Sequence, residues 1–229
     1  MASRRPPRAK SLVVASSCAP SPANSLPDEN LVRVLERSRD LGFLGPGPVT
    51  DHIAQARAYL PALPRLGHGG VVMDLGTGGG IPGLPLASWR TDLTWVFADA
   101  MEKRIAFVRS ALEELGIEAE VLLGRAEELA LAPGRRGSVD VVVARSLAAP
   151  GVAAEYVAPF LKVGGKAVIA EPPGGDASRW PVDELAAFGL RRGHQLFAPT
   201  ATLQILEQVE ECPSEFPRRV GAAAKRPRF

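Results

Sequence analysis

Val71–Trp89 reads VVMDLGTGGGIPGLPLASW. A short apolar run carrying one acid gives way to five glycines and two prolines, and an apolar pattern returns from Leu84 to Trp89. The first part is a strand by length and composition, the glycines are a tight loop, and the last part is a helix. Working outward, further strands are expected at TWVFAD from Thr94, AEVLLG from Ala119, VDVVVAR from Val139 and KAVIAE from Lys166. Helices fall between them near Leu84–Trp89, Glu102–Leu115, Ala126–Ala130 and Val152–Leu161. Strands apolar on both faces and alternating with helices imply right-handed crossovers and a parallel sheet covered on both sides. The end departs from this pattern: LRRGHQLFA and ATLQILEQVE are separated only by Pro199 and Thr200. So short a link forces an antiparallel hairpin. The expected fold is α/β, a mostly parallel seven-stranded sheet with an antiparallel C-terminal hairpin and helices on both faces.

A chain of 229 residues, 46% hydrophobic and 23% charged, is long enough for one core with a small appendage. Residues 1–27, rich in Pro, Ser and Ala, read as a disordered basic extension. Its four-residue apolar run is too short for a signal peptide. A helical segment is expected over 28–66. Asp28 would cap a first helix with Leu31, Val34, Leu35, Ser38 and Leu41 on one face, and Thr50 would cap a second in DHIAQARAYLPAL. The sheet domain then spans 67–212, followed by a basic tail over 213–229. Cys18 and Cys212 stand alone and the three histidines are scattered, so neither a disulfide framework nor a metal site is expected. No apolar run reaches the roughly 20 residues of a membrane helix. The net charge of +2 conceals an asymmetry. The first ten residues hold four basic side chains and FPRRVGAAAKRPRF at the end holds five; removing these nine from 27 leaves 18 against 25 acidic residues. Basic ends on an acidic body suit a polyanionic partner touched at the edges.

In an open parallel sheet the ligand lies beyond the carboxyl ends of the strands, where the glycine loop after the first strand stands. Gly78, Gly80 and Gly83 fit a dinucleotide spacing, which alone is weak. Asp74 would face a pyrophosphate unfavourably, and Pro82 removes a backbone donor. S-adenosylmethionine fits better, because its ammonium and sulfonium favour a nearby acid and no phosphate needs a cradle. Asp74, Gly76, Gly78 and Gly80 form D-x-G-x-G-x-G, the usual loop of class I methyltransferases. Asp99 closes the second strand, where a carboxylate can accept both ribose hydroxyls. Ala126 and Glu127, in GRAEEL, can receive an adenine amino group, although acids also favour a helix start on dipole grounds.

DLGTGGGIPGLPLA, FADAMEKRIAFVRSALEELGI, GRAEEL, VDVVVARSLAAPGVAAEYVAPFLKVGGKAVI and the terminal FPRRVGAAAKRPRF resemble the RsmG or GidB family of 16S rRNA guanine methyltransferases, which act at nitrogen 7. The resemblance spans about Val71–Phe229. It implies a class I (Rossmann-like) methyltransferase fold and a cofactor pocket of Asp74, Gly76, Thr77, Gly78, Gly80, Asp99, Ala126 and Glu127. It further implies Arg145 as a catalytic residue on the shared cofactor and substrate side, and Arg218, Arg219, Lys225 and Arg226 as phosphate contacts, which position RNA without reading sequence. The implied partner is 16S rRNA or the small ribosomal subunit, approached by a cytoplasmic monomer with neither membrane nor metal.

Three segments depart from the family pattern. DHIAQA keeps His52 but has Asp51 and Gln55 where an arginine and an acid are usual; an upstream asparagine-leucine-threonine segment is missing; and AEPPGG places Glu171 and Pro172 where a lysine-glycine pair is usual. These lie on the substrate side. A methyltransferase of the same fold acting on a small molecule or a protein is therefore one alternative, and a non-catalytic protein that binds cofactor or RNA is another.

Overall fold

The computed structural model describes residues 28–65 and 69–229, so the 1–27 extension with Cys18, and also His68, lie outside the described residues. Two helices come first. In α1, Glu29–Asp40, the Asp28 carboxylate accepts the Asn30 N–H at 2.9 Å, the expected cap. Leu31, Val34, Leu35 and Ser38 are buried as the spacing predicts, but Leu41 is 54% exposed: it is the C-cap, still in helical geometry, and the chain leaves the helix at Gly42, with φ of 73°. In α2, Val49–Arg57, Thr50 is not the cap: Pro48 occupies that position, its fixed φ of −64° setting the entry, and no side chain caps the helix. A 3-10 turn, Leu60–Ala62, ends the segment.

The alternating part follows the sequence closely. In chain order come β1 Val71–Leu75, α3 Gly83–Trp89, β2 Thr94–Asp99, α4 Glu102–Leu115, β3 Ala119–Leu123, α5 Ala126–Leu131, β4 Val139–Ala144, α6 Pro150–Val157, β5 Leu161–Glu171, α7 Val182–Ala186, β6 Leu190–Ala198, β7 Ala201–Gln208 and α8 Ala222–Lys225. The sheet order is β3-β2-β1-β4-β5-β7-β6. The first five strands are mutually parallel, whereas β7 runs antiparallel to both β5 and β6, with Ala198 opposite Ala201 across the two-residue turn. Strand order reverses between β1 and β4, the switch point at which open sheets bind ligands. Asp74 is level with Phe97 of β2 and Val143 of β4, so the loops leaving all three strands open at one edge.

Side chains alternate across the sheet and feed two cores. Val72, Trp95, Phe97, Val141 and Val168 face one side with residues of α1, α2, α3 and α4. Met73, Leu75, Val96, Val142 and Ile169 face the other with Ala153, Val157, Trp180, Phe188 and Phe216. The N-terminal helices thus share the main core. Among the described residues no helix is long and apolar enough to cross a membrane, and no group of three His, Cys, Asp or Glu residues could hold a metal ion.

Candidate functional site

The loop between β1 and α3 owes its shape to close approaches. Gly76, Gly78 and Gly80 take positive φ. At Gly83 a Cβ would stand 2.3 Å from an Asp74 carboxylate oxygen and 2.5 Å from the Phe97 ring, so only glycine lets α3 settle onto the sheet. At Gly79 a Cβ would meet Ser38 Oγ at 2.5 Å and Leu44 at 2.6 Å; instead Ser38 Oγ donates to the Gly79 carbonyl at 2.9 Å. The N-terminal helices are thereby fastened to the loop.

Asp74 is fully buried beneath it. One carboxylate oxygen accepts Thr77 Oγ1 at 2.7 Å and Gly83 N–H at 3.1 Å, while the other is buried with no partner among the described residues. Burial pushes the Asp74 carboxyl up to about 7, against the opposing pull of the Thr77 and Gly83 hydrogen bonds. That oxygen therefore lacks a hydrogen-bond donor, which the N–H of a ligand could supply. Arg145, next after β4, faces the same region half-buried. Its Nη1 is buried without a partner among the described residues, and burial lowers its affinity for its proton.

Two clefts open at this edge. The smaller, about 220 Å³, is lined by Gly76, Asp99, Met101, Ala126, Glu127 and Tyr156, among others. Asp99 accepts Gly78 N–H and Met101 N–H, each at 2.9 Å, one on each carboxylate oxygen, which fixes the carboxylate while leaving lone pairs for ribose hydroxyls. The larger cleft, about 640 Å³, includes Gln55, Tyr59, Arg145, Glu171 and Arg179 in its wall. Ser146 lines both, and with φ of 52° it is the one non-glycine residue at positive φ among the described residues. Backbone held this way costs on the order of 1 kcal/mol or more and clusters at functional sites.

Every residue expected at the cofactor site thus comes to this edge: Asp74, Gly76, Thr77, Gly78 and Gly80 with the loop, Asp99 after β2, Ala126 and Glu127 opening α5, and Arg145 after β4. Sequence reasoning missed the two tyrosines. Tyr59 is buried and its hydroxyl donates to the Ala144 carbonyl at 3.0 Å, and burial, reinforced by Asp74, drives its acidity well below that of a free phenol. Tyr156 is pushed up to about 12, first by burial and then by the Glu127 carboxylate. The chain has only these two tyrosines and each lines one cleft, so their scarcity is the compositional signal that could have found them.

The basic tail is bound to the body. Arg218 is tied to the body: its backbone N–H and guanidinium both donate to Glu155, whose side chain is fully buried in α6. The carboxylate inside the core requires that partner. Gly221 N–H donates to Glu127 at 2.9 Å, and the Phe216 ring packs edge-on against Phe188 at 4.7 Å. Arg219, Lys225 and Arg226 remain exposed.

Residues 49–171 match the family described as GidB, rRNA small subunit methyltransferase G. The chain is similar to ribosomal RNA small subunit methyltransferase G of Moorella thermoacetica, 36% identical over 169 residues that cover 68% of each chain. It is similar also to the protein of that name from Deinococcus deserti, 35% identical over 170 residues, 69% of this chain and 68% of the other. Among solved structures, a SAM dependent methyltransferase from Aquifex aeolicus superposes with a TM-score of 0.53 over 76% of this chain and 97% of that one. At 18% identity this likeness speaks for the fold alone.

Proposed function

The chain belongs to the GidB, rRNA small subunit methyltransferase G, family, and from that premise we propose that it transfers a methyl group from S-adenosylmethionine to guanine nitrogen 7 in 16S rRNA of the small ribosomal subunit. The observation that carries this reading is the buried, half-satisfied Asp74 carboxylate at the carboxyl end of β1. It suits an ammonium and a nearby sulfonium, and it opposes a diphosphate. Asp74 would hold the ammonium, Asp99 the ribose hydroxyls, and Ala126 with Glu127 the adenine edge. S-adenosylmethionine supplies an activated methyl group on a positively charged sulfur.

The residues then have to align rather than activate. Guanine nitrogen 7 has a free lone pair and no proton to lose, so its reaction asks for orientation and no general base. Arg145 supplies the orientation, offering its unpartnered N–H to the guanine edge that carries nitrogen 7 and the carbonyl oxygen, the pairing arginine makes in groove readout. Arg145→Ala is expected to lower turnover about tenfold, the worth of such a pair, with cofactor affinity nearly unchanged. A normal rate in single-turnover transfer would remove Arg145 from this role. Arg219, Lys225 and Arg226 hold phosphates, and the protein works as a cytoplasmic monomer.

The test is incubation with methyl-labelled S-adenosylmethionine and small subunits from a strain without its own guanine methylation at that nitrogen. Label in 16S RNA is expected. Cofactor binding without RNA label would overturn the RNA assignment. Gln55 and Glu171, both in the wall of the larger cleft, favour a small-molecule or protein acceptor as the second reading. Label in no acceptor would leave a binding protein.

A further inference from the structure

The segment between β5 and α7 is pinned from several sides. Asp176 accepts the Ser178 N–H at 2.7 Å, and Arg192 Nη1 donates to the carbonyls of Ala177 at 2.8 Å and Trp180 at 3.2 Å. Trp180 itself is 1% exposed, part of the core under β5. The 3-10 turn Ala177–Arg179 is therefore held in one place.

What it holds is a cation in the wall of the larger cleft. The Glu171 side chain, at the end of β5, is 1% exposed; one of its oxygens accepts Trp180 Nε1 at 2.8 Å and the other accepts Arg179 Nη1. A carboxylate so buried needs partners, and these two supply one donor to each oxygen. Arg179 is not consumed in return. Its side chain remains 36% exposed, and a guanidinium has five N–H donors. Arg145, in the same wall, has a buried nitrogen with no partner among the described residues. In the cleft wall two guanidiniums stand against one carboxylate, and Asp74, outside that wall, also acts on Arg145, so the charge left for an anion is chiefly that of Arg179, whose planar fork matches a phosphate.

We propose that Arg179 is a phosphate ligand for the RNA strand entering the larger cleft, and that Glu171 with Trp180 positions it. The proposal rests on the RNA reading above and adds the group that seats the strand beside the target base. Arg179→Ala is expected to raise KM for small subunits about tenfold, the worth of one charge-assisted hydrogen-bonded pair, with kcat and cofactor affinity within about twofold. The log–log slope of RNA affinity against salt should become shallower by about 0.7, the change expected when one phosphate of a single strand is no longer neutralised. A residue that merely braced the fold would not move that slope. Arg179→Lys, which keeps the charge but loses the planar fork, should restore the salt slope and only part of the affinity.

Removing Arg179 alone also strands the buried Glu171, so the double variant Glu171→Gln with Arg179→Ala is measured beside it. The same KM rise and slope change in the double variant would support phosphate binding. Their disappearance in the double variant, or an unchanged KM in both, would overturn it. Absence of transfer by the wild type would instead strike the proposed function, and the salt slope of RNA binding would still decide the role of Arg179.

Discussion

At pH 8, Asp74→Asn will bind S-adenosylmethionine on the order of 100-fold more weakly than the wild type, the scale of a hydrogen bond to a charged group, while the cofactor-free variant melts no lower. Both halves follow from one geometry. The carboxylate lies wholly inside the protein with one oxygen satisfied twice and the other not at all among the described residues. Its carboxyl is raised to about 7 because burial disfavours the charge. A group raised in the folded state contributes stability that is present below its unfolded value, near 4, and is lost as pH climbs through about 7. At pH 8 the cofactor-free protein therefore bears the full strain of a buried anion, and asparagine relieves it. The cofactor needs that anion. Its wild-type affinity will accordingly rise between about pH 6 and pH 7.5 as Asp74 ionises, and the asparagine variant will show no such rise. Calorimetric titration at several pH values, with melting of the free proteins alongside, checks both. Equal affinities, or a pH rise that persists in the variant, would remove Asp74 from the ammonium site.

The fold is legible because parallel strands buried on both faces write themselves as short apolar runs, and VVMDL, TWVFAD and the LRRGHQLFA–ATLQILEQVE pair fall on β1, β2, β6 and β7. The apolar pattern places the start of β5 at Lys166, whereas the strand begins at Leu161, because Gly164 and Gly165 look like breakers. They sit instead where the β4–β5 register slips between Val139 and Val141, and a Cβ on Gly165 would come within 3.0 Å of the Asp140 carbonyl. That the candidate cofactor residues gather at one edge is legible for a related reason: they follow strands directly, so strand ends locate them. Tyr59 is not, since it lies outside the sheet and reaches the site only because Gly79 lets the N-terminal helices close on the loop. The structural role of Arg218 is hidden for the opposite cause. Two adjacent arginines in a basic tail look like a solvated phosphate clamp, and nothing local tells that Glu155, 63 positions earlier, is buried and waiting for one of them.

Arg218→Ala will cost about 3 kcal/mol of unfolding free energy, the effect expected when a buried ion pair is broken on one side. Arg219→Ala, Lys225→Ala and Arg226→Ala should each stay within about 0.5 kcal/mol of wild type, as exposed substitutions do, and should weaken RNA binding with a shallower salt dependence. The difference lies in the partner. Glu155 is fully buried and accepts from the Arg218 backbone and from its guanidinium at 2.8 to 2.9 Å, so truncating the arginine leaves a charge in the core with one donor remaining. Adding Glu155→Gln to Arg218→Ala should recover part of the stability, because the stranded charge goes with it. The effect should also reach the smaller cleft. The segment that Arg218 anchors carries Gly221, whose N–H is one of the donors holding Glu127, and a loosened tail frees that carboxylate from its place beside Ala126. Cofactor affinity is therefore expected to fall in Arg218→Ala and to stay normal in Arg219→Ala. Urea unfolding midpoints, cofactor titrations and RNA binding on the same four variants decide it: if Arg218→Ala unfolds with the wild type and behaves toward RNA like its neighbours, Arg218 is a phosphate contact and the tail is held by its other anchors, Phe216, Gly221, Arg228 and the Arg136 hydrogen bonds.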